Sequence, residues 1–353
     1  MQHRIPTTVI TGFLGAGKTT LIRHLLANAN GKRIALIINE FGDLGVDGEV
    51  IKGCGIENCR DDDIVELSNG CICCTVAEDF IPTIKALIDR DEAPDHIVIE
   101  TSGLALPQPL VRAFNWPEIR TRVTVDGVVT VVDGAAVSEG RFAHDEAAVD
   151  AQREADDGLD HETPLSELFD DQLACADMIV LNKVDLMNDN AVASVLGDLT
   201  TGTRDGVRLV KSRMGQVSID ALLGLELNAQ DDLEARQEVH HHHHDDDEDD
   251  DDHEHEHGHD EFESFQIDLG PVSDPDRFAR TVADVIRSHD ILRVKGFGAV
   301  EGKQMRLVVQ AVGPRVDTYF DRPLGAHEAG RTRLVVIGQA GMDVAAISSA
   351  LAG

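Results

Sequence analysis

A glycine-rich segment near the start of the chain has the residue types and spacing that bind phosphate. Residues 12–19 match the pattern G-x-x-x-x-G-K-[S/T], between an apolar run at 8–10 and an apolar helical pattern at 21–26. Such a loop directs backbone N–H groups at phosphate oxygens, and the helix N-terminus adds partial positive charge. The predicted contacts to a nucleoside triphosphate come from Gly12, Gly15, Ala16, Gly17, Lys18, Thr19 and Thr20.

A second phosphate-side motif follows from the same chemistry. We expect Lys18 to reach the β- and γ-phosphates and the Thr19 hydroxyl to bind Mg²⁺. The apolar strand pattern at 96–100 ends in Glu100 and leads to Gly103. We predict that Glu100 lies near Mg²⁺ or its water, and that the Gly103 N–H contacts the γ-phosphate.

The base of the nucleotide is predicted from Asn182-Lys183-Val184-Asp185, which follows an apolar strand pattern. The Asp185 carboxylate can accept hydrogen bonds from guanine N1–H and the exocyclic amine, which adenine does not offer. A buried bidentate contact of this kind rejects the wrong base, because the charge would be left unpaired. The Lys183 stem can cover the flat face of the base. GTP is therefore the predicted nucleotide.

The segment after the second strand, 39–47, contains acids and glycines. One interpretation is a switch loop that senses Mg²⁺ and the γ-phosphate, with Glu40 at its start. The other is an ordinary acidic connection, and residue types alone do not separate the two.

Three sulfurs lie within four residues at Cys71, Cys73 and Cys74. Soft thiolates favour Zn²⁺, Co²⁺ or Cu⁺ over Mg²⁺, and three of them leave the fourth position of a tetrahedral site open. The alternatives are three small buried side chains or a redox pair. We predict a metal site. Cys54 and Cys59 could extend it, serve as an entry point or lie in a surface loop.

Residues 240–263 contain nine histidines, 13 acids and no Lys or Arg. This composition cannot form an apolar core, so a disordered linker is expected. Imidazoles beside carboxylates also favour weak, multivalent capture of borderline metals. A solvated acidic spacer is the alternative.

Composition limits the possible partners. The net charge of the 353 residues is −34, which disfavours nucleic acid and anionic membranes and suits cations. The chain has no apolar stretch near the ~20 residues of a membrane span. No signal peptide is apparent, and five of six cysteines lie within 54–74. A cytoplasmic protein is expected.

The order of strand and helix patterns predicts the fold. Apolar strand runs alternate with helical segments over the first 210 residues, as in a doubly wound, mostly parallel α/β sheet. A small α+β domain is predicted after the acidic segment. The predicted divisions are a P-loop domain at 1–228, a disordered linker at 229–261 and a C-terminal domain at 262–353.

With these motifs in place, the chain resembles the CobW family of metal-delivery GTPases. The resemblance rests on segments 12–20, 39–42, 70–74, 100–103 and 182–185, on the His-rich insert and on the C-terminal region. It implies GTP hydrolysis involving Lys18, Glu40 and Glu100, and a divalent metal carried on the Cys-x-Cys-Cys site until hydrolysis. Within the family, 54–71 resembles the branch that serves cobalamin biosynthesis.

That branch implies Co²⁺ as the cargo and a cobaltochelatase as the recipient. Zinc-handling relatives share the same core motifs, so a Zn²⁺ chaperone is the alternative. A passive metal store built on the His/Asp segment and a phosphotransferase acting on a metabolite are the alternatives from other classes.

Overall fold

The computed structural model describes residues 4–39, 64–67, 80–155, 164–225, 229–231, 262–289, 291–312, 315–325, 328–339 and 341–352. The chain divides into two compact units, Met1–His241 and His242–Gly353, and each is treated by itself. The division falls inside the predicted linker at 229–261. The predicted bounds of the three regions stay a prediction.

The described part of the first unit contains a seven-stranded parallel sheet. Its strands are β1 (Ile5–Thr11), β2 (Ile34–Asn39), β3 (Ile64–Leu67), β4 (His96–Glu100), β5 (Val123–Asp133), β6 (Met178–Asn182) and β7 (Arg208–Lys211). Across the sheet they lie in the order β3-β2-β4-β1-β5-β6-β7. The helices are α1 (Lys18–Ala27), α2 (Ile81–Ile88), α3 (Pro107–Ala113), α4 (Gly134–Ser138), α5 (Glu146–Ala155), α6 (Leu165–Cys175), α7 (Asp189–Thr201) and α8 (Ile219–Leu222). The predicted α/β architecture is confirmed.

The strands are apolar because both faces of the sheet are covered. Val9, Ile37 and Ile99 pack with α2 and α3 in one core cluster. Their neighbours Ile10 and Val98 point to the opposite face and are equally buried, since successive strand residues alternate between faces. The sequence pattern therefore reads as continuous apolar runs rather than as alternation.

The strand order brings the carboxyl ends of the central strands around the glycine-rich loop. β1 lies between β4 and β5, and the loop follows directly from its end at Thr11. In a parallel sheet, ligands bind at this edge. The helical segments predicted between the strands are observed, with α1, α2, α3 and α6 among them.

The described part of the second unit contains five strands and two helices. They are β8 (Phe262–Leu269), α9 (Pro275–Ser288), β9 (Ile291–Ala299), β10 (Met305–Val312), β11 (Arg315–Pro323), β12 (Thr332–Gln339) and α10 (Val344–Ala352). The strands form an antiparallel sheet of order β11-β10-β9-β12-β8. α9 and α10 contribute Val282, Ile286 and Ile347 to its core. β11 was not predicted, because its many charged and polar residues hide the strand pattern.

An ion-pair network links β10, β11 and the segment that follows β11. Arg306 pairs with Asp321 and Glu328, and Arg322 pairs with Glu328. The hydrogen bond from Arg322 lowers the pKa of Glu328 to about 2.

Candidate nucleotide-binding site

The glycine-rich loop adopts a conformation that side chains would disrupt. Gly12 and Gly17 have φ values of 134° and 105°. A Cβ atom on Gly12 would lie 2.1 Å from the Val131 carbonyl oxygen, and one on Gly17 would lie 2.2 Å from the Asn182 side-chain nitrogen. The loop is therefore wedged against β5 and the end of β6, and only glycine fits at these two positions.

Lys18 is the first residue of α1 and its side chain turns back over the loop. The residue is 8% exposed, and its Nζ donates to the carbonyl oxygens of Gly12 at 2.8 Å and Phe13 at 3.3 Å. These bonds hold the ammonium group above the loop backbone. This placement agrees with a cation directed at phosphate.

The remaining predicted loop residues lie close by. Gly15 has a φ of 76° with open space around it, Ala16 is buried, and Thr20 is exposed in the first turn of α1. The loop thus has an open side at Gly15 and Thr20 and a packed side at Ala16.

Thr19 and Glu100 meet although 81 residues separate them. The Thr19 hydroxyl donates to Glu100 Oε1 at 3.3 Å, and Glu100 is 4% exposed at the end of β4. A hydroxyl and a carboxylate are the hard oxygen ligands that Mg²⁺ prefers. These residues therefore fit the ion that the sequence predicts.

Gly103 lies against the phosphate loop. A Cβ atom on Gly103 would lie 2.7 Å from the Leu14 backbone nitrogen. Gln172, on α6 and fully buried, donates from Nε2 to the carbonyl oxygens of Gly103 at 3.1 Å and Ala105 at 3.2 Å. Gln172 therefore holds the segment after β4 in place. Gln172 was not predicted as part of the site, since its signal in the sequence is one amide in an amphipathic helix.

Asn182 connects three parts of the site. Its Nδ2 donates to the Ala16 carbonyl oxygen at 2.9 Å, and its Oδ1 accepts from the Gly215 N–H at 3.1 Å. The side chain thus links the phosphate loop to the turn after β7. That turn was not predicted as part of the site. The signal for it in the sequence was Gly215, a glycine shortly after the end of β7. Met214 in the same turn is 66% exposed and has a φ of 54°.

Lys183 and Asp185 follow Asn182 at the same edge. Lys183 is in the left-handed region, and its Nζ lies 2.6 Å from Asp133 Oδ2. Asp185 is exposed in the 3₁₀ turn Val184–Leu186. Asp133 was not singled out from sequence. Like Glu100, it is an acid at the end of an apolar strand.

The residues predicted to bind the cargo metal lie outside the described residues. These are Cys71, Cys73 and Cys74, together with Cys54, Cys59 and the His/Asp segment at 240–259. Glu40, predicted as a catalytic residue, also lies outside them. Among the residues that the structure does describe, no group of three or more His, Cys, Asp or Glu side chains could hold a metal ion. Cys175 is fully buried at the end of α6, where it packs in the core.

Among the helices of the described ranges, none combines the length and the apolar character needed to cross a bilayer.

One parallel sheet thus carries a phosphate loop with a lysine over its backbone, a Thr–Glu pair and an Asn-Lys-x-Asp turn. This combination defines a P-loop GTPase. The chain belongs to the CobW family. Residues 6–211 match the family described as CobW/HypB/UreG, nucleotide-binding domain, and residues 262–353 match the Cobalamin synthesis protein cobW C-terminal domain.

Relatives match along the full length. The chain is 57% identical to a Sinorhizobium protein named Zinc chaperone CobW, over 99% of this chain and 97% of that protein. It is 50% identical to a Pseudomonas aeruginosa protein of the same name, over 99% and 91%. A solved structure of zinc-bound YjiA GTPase from E. coli is 24% identical over 99% of each chain, with a TM-score of 0.40. The chain is a metal-delivery GTPase.

Proposed function

We propose that this GTPase is a zinc chaperone that binds Zn²⁺ at Cys71, Cys73 and Cys74 in the GTP state and releases it after hydrolysis. One observation supports the proposed coupling between nucleotide binding and metal binding. β3 ends at Leu67, which pairs with Asn39 in a parallel register, so the chain leaves the sheet at the phosphate-loop edge. Cys71 follows four residues later, within a reach of ~14 Å.

The described side chains support the chemistry that we propose at the phosphate edge. Lys18 balances negative charge on the β- and γ-phosphates, and the Gly103 N–H contacts the γ-phosphate. Thr19 and Glu100 would hold Mg²⁺, which would supply further charge stabilisation. Glu40 stays a predicted catalytic residue. Together these groups stabilise the charge that develops as the γ-phosphate leaves.

We assign the base to the turn after β6. Asn182 fixes the phosphate loop, the Lys183 stem covers the base, and the Asp185 carboxylate accepts hydrogen bonds from guanine. Asp185 is exposed in the described structure, so it is accessible to a ligand. This arrangement selects GTP over ATP.

Loss of the γ-phosphate would change the metal site through the segments on this edge. The segment after β2, which includes Glu40, begins beside β4 and its Glu100. The segment after β3, which includes Cys71, begins one strand further out at the same edge. If GTP orders these segments, the three thiolates converge only in the triphosphate state. By linkage, the metal then tightens GTP binding by the same factor.

The names of the relatives favour Zn²⁺ as the cargo over the Co²⁺ expected from the sequence resemblance. Two relatives that span the chain, at 57% and 50% identity, are named zinc chaperones. Thiolates accept either ion, so ligand chemistry does not decide between them. A cobaltochelatase recipient belongs to the cobalt alternative, and the zinc proposal leaves the recipient protein open.

The test is metal binding by the full chain with Mg²⁺ and either a non-hydrolysable GTP analogue or GDP. We expect tight Zn²⁺ binding only with the GTP analogue, and its loss by at least about 100-fold when the three thiolates become serine. Cys175→Ala removes a thiol from the described core and should leave Zn²⁺ binding unchanged. Unaltered Zn²⁺ stoichiometry in the triple serine variant would overturn the proposal. Co²⁺ in competition with Zn²⁺ measures the cargo preference.

A second candidate, a passive metal store, is favoured by the nine histidines within 240–263. Deletion of 240–259 separates the two functions. A store would lose most of its metal capacity, whereas a chaperone would keep one tight, GTP-dependent site.

A further inference from the structure

We propose that Asp133 is a positioning residue for guanine selectivity, because it holds Lys183 in the orientation that forms one wall of the base site. The inference rests on the proposed base-reading role of the turn after β6. It adds a residue from β5, a strand outside the Asn-Lys-x-Asp motif, to the determinants of nucleotide specificity.

The ion pair between Asp133 and Lys183 is short and shielded from solvent on one side. The Lys183 Nζ lies 2.6 Å from Asp133 Oδ2, and the side chains are 27% and 1% exposed. An ionised carboxylate buried to this degree is costly unless it is paired. The lysine is therefore held to one place rather than extended into water.

The carboxylate itself is fixed from two directions. Its other oxygen, Oδ1, accepts from the Ala136 N–H at 3.2 Å and caps the N-terminus of α4. Asp133 also pairs with Asn182 in the register between β5 and β6. Both oxygens have defined partners, and the backbone is part of the sheet. Asp133 is thus a rigid anchor for a flexible side chain.

Lys183 needs such an anchor because of its backbone and its neighbours. Its φ of 63° and ψ of 29° lie in the left-handed region, which lysine rarely adopts. Asn182 before it binds the Ala16 carbonyl oxygen, and Val184 after it donates from its backbone N–H to the Ser212 carbonyl oxygen at 3.3 Å. The strained residue is therefore tied on both sides to elements of the nucleotide site.

The functional consequence lies in the four methylene groups of Lys183. When the ammonium group is neutralised by Asp133, the stem can present an apolar surface to a flat base without an unpaired charge. Without the carboxylate, the stem samples many rotamers, and binding would have to order them. The effect acts on the base and not on the phosphates, because the ordered stem holds the guanine edge opposite the Asp185 carboxylate, a contact that adenine does not make. It should weaken GTP and GDP binding by the same factor.

Asp133→Asn tests the inference, since asparagine can still cap α4 but carries no charge. Asp177→Asn is the matched control, because Asp177 is also buried and paired, with Arg204 at 2.7 Å. That pair lies at the amino ends of the strands, away from the nucleotide site. In the full chain with Mg²⁺, fluorescent GTP, GDP and ATP are titrated into each variant. We expect the GTP-to-ATP affinity ratio to fall about tenfold in Asp133→Asn, with GTP and GDP weakened equally, and to be unchanged in Asp177→Asn.

Two further variants separate positioning from general stability. The double variant Asp133→Asn with Lys183→Met removes the unpaired ammonium but leaves the stem without an anchor, so the GTP-to-ATP ratio should stay low. Recovery of the ratio would show that the unpaired charge, and not lost positioning, causes the effect, and would overturn the inference. Asp133→Glu keeps the charge and should recover part of the ratio lost in Asp133→Asn. An unchanged ratio in folded Asp133→Asn, or an equal loss in Asp177→Asn, would overturn the inference.

Asp185→Asn distinguishes failure of this inference from failure of the proposed base site. If Asp185→Asn lowers the GTP-to-ATP ratio and Asp133→Asn does not, the positioning role of Asp133 is wrong while the base site stands. If neither substitution changes the ratio, the assignment of guanine recognition to this turn is wrong, and the inference fails with it.

Discussion

The seven-stranded sheet has a carboxyl edge, where its strands end, and an amino edge, where they begin. Both edges contain the same kinds of buried polar groups, which serve different purposes. At the carboxyl edge, a buried aspartate pairs with Lys183 and a buried glutamine binds two carbonyl oxygens. At the amino edge, Asp177 pairs with Arg204, and Gln230 binds Thr124 and the Val125 N–H. Chemical type alone does not separate these pairs.

The difference lies in what the polar groups hold. At the amino edge they bind the backbone of regular strands, as when Asp177 Oδ2 accepts from the Val128 N–H at 2.8 Å. At the carboxyl edge they bind loops in uncommon conformations, including Gly17 and Lys183 with positive φ. Strain of this kind persists only where surrounding contacts fix it. We infer that the carboxyl edge is built for binding and the amino edge for stability.

The largest expected effect is at Gly12. Gly12→Ala places a Cβ atom 2.1 Å from the Val131 carbonyl oxygen at a φ of 134°, so the phosphate loop must move. We predict a fall in kcat/KM for GTP of more than about 100-fold, as expected when preorganised phosphate contacts are lost. Gly15→Ala is the control, because it has a positive φ but no atom within 4 Å of its Cβ position. Steady-state GTPase assays compare the two, and similar losses in both would mean that backbone strain, not the contact with β5, explains the effect.

The next largest effect is expected at Gln172, which we compare with Gln230, a buried glutamine at the amino edge. Gln172→Leu leaves the carbonyl oxygens of Gly103 and Ala105 without the amide that binds them, so the segment predicted to contact the γ-phosphate is released. We predict that the ratio of GTP to GDP affinity falls about tenfold. Gln230→Leu, at the amino edge, should leave that ratio unchanged. Nucleotide titrations measure both, and a changed ratio in Gln230→Leu would remove the distinction between the edges.

The smallest functional effect is expected at Asp177. Asp177→Asn weakens the buried pair with Arg204, which should lower the free energy of unfolding by about 2 kcal/mol. GTP hydrolysis per folded molecule should stay the same, because the pair lies at the amino edge, away from the phosphate loop. Urea unfolding and GTPase assays at low denaturant give the two quantities. A loss of hydrolysis without a loss of stability would contradict the proposed division of the sheet.

The local part of the site could be predicted from sequence. Gly12, Lys18 and Thr19 lie in one short segment, and the pattern itself dictates a loop between a strand and a helix. Glu100 could be placed beside them because parallel strands end at a common edge. The buried apolar runs likewise predicted the central strands of the sheet.

The rest depends on contacts that no local pattern encodes. Gln172 binds Gly103 across 69 residues, and Asp133 binds Lys183 across 50. A single polar residue in an apolar strand or helix has many possible partners, and only the fold selects one. β3 was missed because four residues beside an acidic run give too short a pattern. α7 was missed although Asn188 caps it, since its apolar face is weak in sequence.

The central claim is that nucleotide and metal bind cooperatively. Its most direct test is the affinity of the full chain for a non-hydrolysable GTP analogue, measured with Mg²⁺ in the presence and absence of Zn²⁺, and the affinity for Zn²⁺ with and without the analogue. Thermodynamic linkage requires the same factor in both directions, and coupling of this type is typically about 5- to 150-fold. We predict such a factor for the GTP analogue and none for GDP. Equal affinities with and without Zn²⁺ would contradict the account.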